Sequence, residues 1–233
     1  MQIFTDFFKR ISLNLIEEKR YLYLFNGLKI TLLVAVFAVL LGVVLGLITA
    51  VIKVAAKNNK KLRPLEIIAN LYVTVIRGTP VMVQLLIIYF IVFASVDVSK
   101  VLVAIVTFGI NSGAYVSEII RAGILAVDKG QGEAGRSLGL SNTQTYRYII
   151  LPQAIKNILP ALGNEFISLL KETAVVGYIG LQDLTMGGDV IRSRTYDAYV
   201  PLITVALIYL AIVMLISYGL KKLEGRLRRS DYR

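Results

Sequence analysis

Ile30 to Ile52, ITLLVAVFAVLLGVVLGLITAVI, is a run of 23 residues without a charge, bounded by Lys29 and Lys53. At about 1.5 Å rise per residue, a helix of that length reaches roughly 35 Å, enough to cross a hydrocarbon core of about 30 Å. A second run of 23, Ala198 to Leu220, lies between Asp197 and Lys221. Two such runs make the chain an integral membrane protein. The N-terminus carries Asp6, Lys9, Arg10, Glu17 and Glu18 and does not read as a removable signal peptide.

Composition agrees. Of 233 residues, 56% are apolar and mean hydropathy is +0.69, which suits neither a soluble domain nor a disordered chain. There is no His and no Cys, so His or thiolate metal sites, disulfides, thiol nucleophiles and imidazole acid–base catalysis are all excluded. The net charge of +11 is compatible with nucleic-acid binding or with basic loops on a membrane protein, and its distribution decides between them.

The spacing predicts an all-α fold of five spans, at about 27–53, 66–96, 100–126, 149–182 and 198–220, forming one domain over residues 1–233. Gly78-Thr79-Pro80 is a breaker cluster inside the second span, and the run before Arg77 reads as a separate interfacial piece. Fifteen of the 26 basic residues fall in the 53–63 loop, the 121–147 loop and the tail, and eight fall on the opposite side. Arg77, Lys156 and Lys171 lie within spans. The excess is therefore topogenic, with the C-terminus cytoplasmic, the N-terminus outside, and no nucleic-acid partner. Residues 3–25 read as an amphipathic segment on the outer surface, and the tail from Lys221 to Arg233 as a contact to anionic lipid. Ala38, Gly42, Gly46 and Ala50, spaced by four, give the first span a smooth packing face.

The 128–148 loop is not an ordinary connector. It reads Glu133-Ala134-Gly135-Arg136-Ser137-Leu138-Gly139, followed after nine residues by Ile149-Ile150-Leu151-Pro152. This resembles the EAA motif of permease subunits of ATP-binding cassette (ABC) importers, and departs from it only in Gly135, where the family has a third Ala. Gly costs up to about 1 kcal/mol relative to Ala in a helix interior, which predicts a locally weaker first helix with an unchanged docking face. Arg77-Gly78-Thr79-Pro80-Val81-Met82-Val83-Gln84-Leu85, Glu118-Ile119-Ile120-Arg121-Ala122-Gly123-Ile124, Pro152-Gln153-Ala154 and Leu170-Lys171-Glu172-Thr173 look like segments of polar-amino-acid permeases of the histidine, arginine, glutamine and glutamate type.

The resemblance covers roughly residues 22–230 and implies a type I (MetI-like) importer core in the bacterial plasma membrane. It implies a second permease subunit, identical or paralogous, two separate ATPase subunits that bind ATP and Mg, and an extracytoplasmic amino-acid-binding protein. It also implies a loop that docks the ATPase through Glu133, Ala134, Gly135, Arg136, Gly139, Leu140 and Ser141. The residues themselves agree in part. No Gly-x4-Gly-Lys-Ser/Thr phosphate loop is present, so an ATPase must be another polypeptide and the chain has no catalytic residue or cofactor of its own. Ser141 is placed to cap a second loop helix.

Charged groups near a bilayer centre cost about 2.5–3.5 kcal/mol each on insertion scales and rarely face lipid. At about 100° per residue, Glu165, Ser168 and Glu172 share one stripe of the fourth span. This stripe is a candidate lining of a translocation path, with acidic groups suited to a basic amino acid. Thr79, Gln84, Asn111 and Ser112 are candidate hydrogen-bonding partners from the second and third spans. Alternatively, Glu165 and Glu172 pair with Lys171, Lys156 or Arg77. Glu118 and Arg121, at i,i+3, are expected to pair with each other. Two other functions remain open on the residues alone: an ion-gradient-driven secondary transporter, which the lack of an internal repeat disfavours, and a non-transporting membrane anchor.

Overall fold

The computed structural model describes residues 2–228, and the last five residues of the basic tail lie outside it. Every regular element among the described residues is helical. The helices are α1 (Gln2–Ile11), α2 (Tyr21–Asn58), α3 (Arg63–Arg77), α4 (Val81–Ile87), α5 (Lys100–Leu125), α6 (Lys129–Ser137), α7 (Asn142–Thr145), α8 (Leu151–Glu172), α9 (Leu184–Thr195) and α10 (Tyr199–Arg228).

Three helical stretches are long and apolar enough to cross a membrane: Tyr21–Ala56, Lys100–Leu125 and Tyr199–Leu227. A fourth crossing results if the pair Lys60–Arg77 and Val81–Val92, bent by 106°, counts as one broken span. The bend falls at Gly78-Thr79-Pro80. Pro80 lacks the N–H that would continue α3, and α4 begins immediately after it. The 22 residues of α8 are long enough, but Lys156, Glu165, Lys171 and Glu172 lower their hydropathy.

Helix limits differ from the sequence reading at two places. Regular α-helix in the fourth stretch stops at Glu172 and tightens into a 3-10 segment, Thr173–Ile179, which Gly180 closes at φ 69°. The expected amphipathic segment 3–25 divides into α1, a π turn and a short 3-10 turn. The long apolar helix then starts at Tyr21, six residues before the expected start of the span.

Contacts divide the chain into two units whose boundaries fall within α2, α5, α8 and α10. The first comprises residues 1–38, 80–108 and 168–215, and the second 39–79, 109–167 and 216–233.

In the first unit, Leu24, Leu184, Ile191 and Val205 form an apolar core joined by Leu15, Tyr23, Leu28, Ile208 and Tyr209. Asp183 is fully buried and caps α9, its carboxylate accepting from the N–H groups of Met186 (2.9 Å) and Thr185 (3.2 Å). Burial pushes the Asp183 carboxyl above the usual carboxylate range, against the pull of those N–H groups. The N-terminal segment is held by Asn14, also fully buried. Its amide donates to the Arg10 carbonyl and Asp197 Oδ2 (both 2.9 Å), and its oxygen accepts from Thr195 (2.7 Å).

In the second unit, α2 lies directly on α5. A Cβ on Gly42 would come within 2.8 Å of Ser112 Cβ, and one on Gly46 within 2.5 Å of Val116 Cγ1. The expected small-residue face thus exists at these two positions. At the far end of the same helix pair, Lys53 reaches Glu118 (2.8 Å), which also accepts from Arg121 (2.7 Å). The expected i,i+3 pair is therefore a three-residue cluster.

Candidate functional site

The 128–148 segment folds as a helix–turn–helix fixed by its own hydrogen bonds. Asp128 Oδ1 accepts from the Gly130 N–H and starts α6. The end of α6 is a Schellman motif: Leu140 N–H donates to the Gly135 carbonyl (3.1 Å) and Gly139 N–H to the Arg136 carbonyl (2.9 Å). Gly139 sits at φ 79°, which a residue without Cβ adopts freely. Ser141 then forms a capping box with Gln144, its Oγ accepting from Gln144 N–H (3.3 Å) and its own N–H donating to Gln144 Oε1 (2.9 Å).

Glu133, Ala134, Arg136, Gly139 and Ser141 are exposed on this element and Leu140 is half-buried. Leu138, at the turn, is 78% exposed. Gly135 is buried for a local reason: a Cβ there would meet Thr145 Cγ2 at 2.7 Å and Thr145 Oγ1 at 2.8 Å. The departure from the family's Ala is thus matched by the side chain opposite.

Of the candidate path residues, Ser112 and Glu165 meet in the second unit, where the Ser112 hydroxyl donates to Glu165 Oε1 (2.9 Å). Ser112 and the neighbouring Asn111 are buried on α5. Thr79 donates back to the Val75 carbonyl (2.9 Å) at the end of α3. Gln84 is buried in the first unit, where Ser168 and Glu172 are exposed.

The sequence reading did not single out two aromatic residues of the second unit. The Arg77 guanidinium stacks over the Tyr115 ring, 5.1 Å from its centroid. The Tyr72 hydroxyl donates to the Ile110 carbonyl (2.6 Å). The available signal was Tyr115 lying three residues after Ser112, on the same side of α5.

The family model for the binding-protein-dependent transport system inner membrane component matches residues 21–229. The chain belongs to this family. Its members are membrane permeases of ABC importers, without an ATPase domain of their own, that work with an ATPase and a substrate-binding protein at the bacterial inner membrane. A crystal structure of an amino acid ABC transporter with histidines is 45% identical, has a TM-score of 0.83, and aligns over 89% of this chain and 95% of its own. The arginine transport system permease protein ArtQ of Bacillus subtilis (strain 168) is 39% identical over 90% of this chain and 94% of its own length. The glutamine transport system permease protein GlnP of Escherichia coli (strain K12) is 37% identical, over 88% and 93% respectively. The all-helical type I importer fold expected from the loop motif is the fold found.

Proposed function

We propose that the chain is the membrane subunit of an amino-acid importer. Two permease subunits, identical or paralogous, form the pathway. Two ATPase subunits, which bind ATP and Mg, dock on residues 128–148, and an extracytoplasmic binding protein delivers the amino acid. ATP binding turns the pathway from inward-open to outward-open and hydrolysis resets it, while this chain contributes no catalytic group. The five spans of a single domain place the N-terminus outside and the C-terminus in the cytoplasm, a reading supported by the basic residues concentrated in the 53–63 loop, the 121–147 loop and the tail.

The observation that carries the docking role is the capped helix–turn–helix with exposed Leu138 at its tip, flanked by exposed Glu133 and Arg136. Similarity to permeases named for arginine and for glutamine supports an amino-acid substrate and leaves two side-chain chemistries in view. Glu165, held by Ser112 in a helix that must cross the membrane, supports a pathway lined by acidic groups that favours a basic side chain. Glu172, Ser168, Thr79, Gln84 and Asn111 are assigned to the same pathway.

Reconstitution with the ATPase and binding protein in proteoliposomes tests both parts. ATP-dependent uptake of arginine and glutamine is expected. Deletion of residues 133–141 is expected to abolish uptake while the protein remains inserted; retained uptake would remove the docking role. Glu165→Gln and Glu172→Gln are expected to lower arginine uptake relative to glutamine. Unchanged uptake and selectivity in both variants would sink the acidic lining. Uptake by the chain alone, driven by an ion gradient, would favour a secondary transporter instead.

A further inference from the structure

We propose that Arg77 is the binding residue for the α-carboxylate of the transported amino acid, a deepening that rests on the amino-acid permease reading above. Arg77 ends α3 at the 106° bend between two apolar helices. A permanent cation and a broken backbone at membrane depth are both unfavourable unless they face protein or a water-filled cavity. Transporters use such broken helices to hold charged substrate groups. Arg77 is exposed on this chain, so its head is not consumed as a core group.

Its recorded contact is of a particular kind. The guanidinium lies over the Tyr115 ring at 5.1 Å, which engages the face of the planar group. Stacking fixes the plane and leaves the in-plane N–H edge directed away from the ring. That edge is the geometry that takes a carboxylate with two parallel hydrogen bonds.

Tyr115 is also one turn from Ser112 on α5, about 60° around the helix, and Ser112 holds Glu165. Within the second unit, adjacent turns of one helix therefore present a positive head and a negative one. An α-amino acid carries the complementary pair, a carboxylate and at least one cationic group. Arg77 would read what all amino acids share, and Glu165 what distinguishes the basic ones.

The test uses the complete permease–ATPase complex in nanodiscs without the binding protein, so that the receptor's own selectivity does not contribute. Binding is measured for L-arginine and L-argininamide, and for L-glutamine and L-glutaminamide. Each pair differs in the α-carboxylate. The wild-type complex is expected to prefer the acid over the amide by roughly tenfold to a hundredfold, as for a hydrogen-bonded charge pair. Arg77→Gln is expected to bring that ratio close to one, and Arg77→Lys to restore part of it. A merely structural Arg77 would lower acid and amide binding together and leave the ratio intact. An unchanged ratio in Arg77→Gln, equal binding of acid and amide by the wild type, or no binding of either acid by the wild type would each overturn the assignment. Glu165→Gln is expected to weaken arginine relative to glutamine and to leave the acid/amide ratio alone. Failure of that arm removes the acidic-lining reading without touching Arg77.

Discussion

Replacing Gly135 with alanine restores the residue that the motif carries in the permeases it resembles, and the geometry predicts that the protein will not benefit. Alone, the substitution should gain about 1 kcal/mol of helix propensity. The new Cβ would lie 2.7 Å from Thr145 Cγ2, 2.8 Å from Thr145 Oγ1 and 3.1 Å from Ile149 Cδ1, all closer than ordinary contact. Thr145 is 2% exposed and has little room to yield. Overpacking of this kind costs about 1–3 kcal/mol, so Gly135→Ala should be neutral to about 2 kcal/mol destabilising.

Thr145→Ala removes the obstructing atoms. It also removes a buried hydroxyl that has no hydrogen-bond partner among the described residues, which offsets the lost methyl contact. The double variant should therefore recover the propensity gain, giving a coupling of about 1–3 kcal/mol between the two sites. Thermal unfolding in detergent, with hydrogen exchange followed over residues 129–150, measures all four corners of this cycle. Additive effects, with Gly135→Ala stabilising in the presence of Thr145, would refute the steric account.

Three further outcomes follow from packing and charge. Lys53→Met should cost about 1–3 kcal/mol of stability, because it strips one of two cations from Glu118, which is 18% exposed, whereas Arg121→Met, at a 44%-exposed position, should cost less than about 1; equal losses in thermal unfolding would contradict this. Asn14→Ala breaks charge-assisted bonds worth about 1.5–3 kcal/mol, so exchange should accelerate at residues 12–20 and 195–197 and not at 129–150. Asp183 has a raised carboxyl pKa, so the folded state binds its proton more readily than the unfolded chain does, and wild type should gain stability relative to Asp183→Asn as pH falls from 7 towards about 4. Relative stability moving the other way would mean that the capping N–H groups outweigh burial.

Much of this was legible before any coordinates. Uninterrupted apolar runs mark α2 and α10, since nothing else accommodates 23 uncharged residues, and Gly78-Thr79-Pro80 marks the bend because Pro80 has no N–H for α3. Ser141 was readable as a cap since capping is local, a matter of three residues. The end of α8 was not. Lys171 to Gly180 has no proline and keeps an apolar character past Glu172, and its 3-10 winding is resolved only by packing. Nor could Lys53 be matched with Glu118, 65 residues away, while Arg121 offered a local partner at i,i+3. Arg77 was placed by its charge among possible acidic partners, and its aromatic partner reflects how α3 meets α5, which no single-sequence periodicity encodes.

The turn at Gly139 has a mechanical consequence. Main-chain bonds close it on one side and the Ser141–Gln144 box on the other, so α6 and α7 have few soft torsions between them. Such an element has low compliance: a push on Leu138 moves the whole element instead of being absorbed by bending. Its main-chain donors at the turn are already committed, so a partner must grip shape and side chains. A stiff lever with an apolar tip transmits displacement with little loss, which is what a protein driven by another subunit's motion requires.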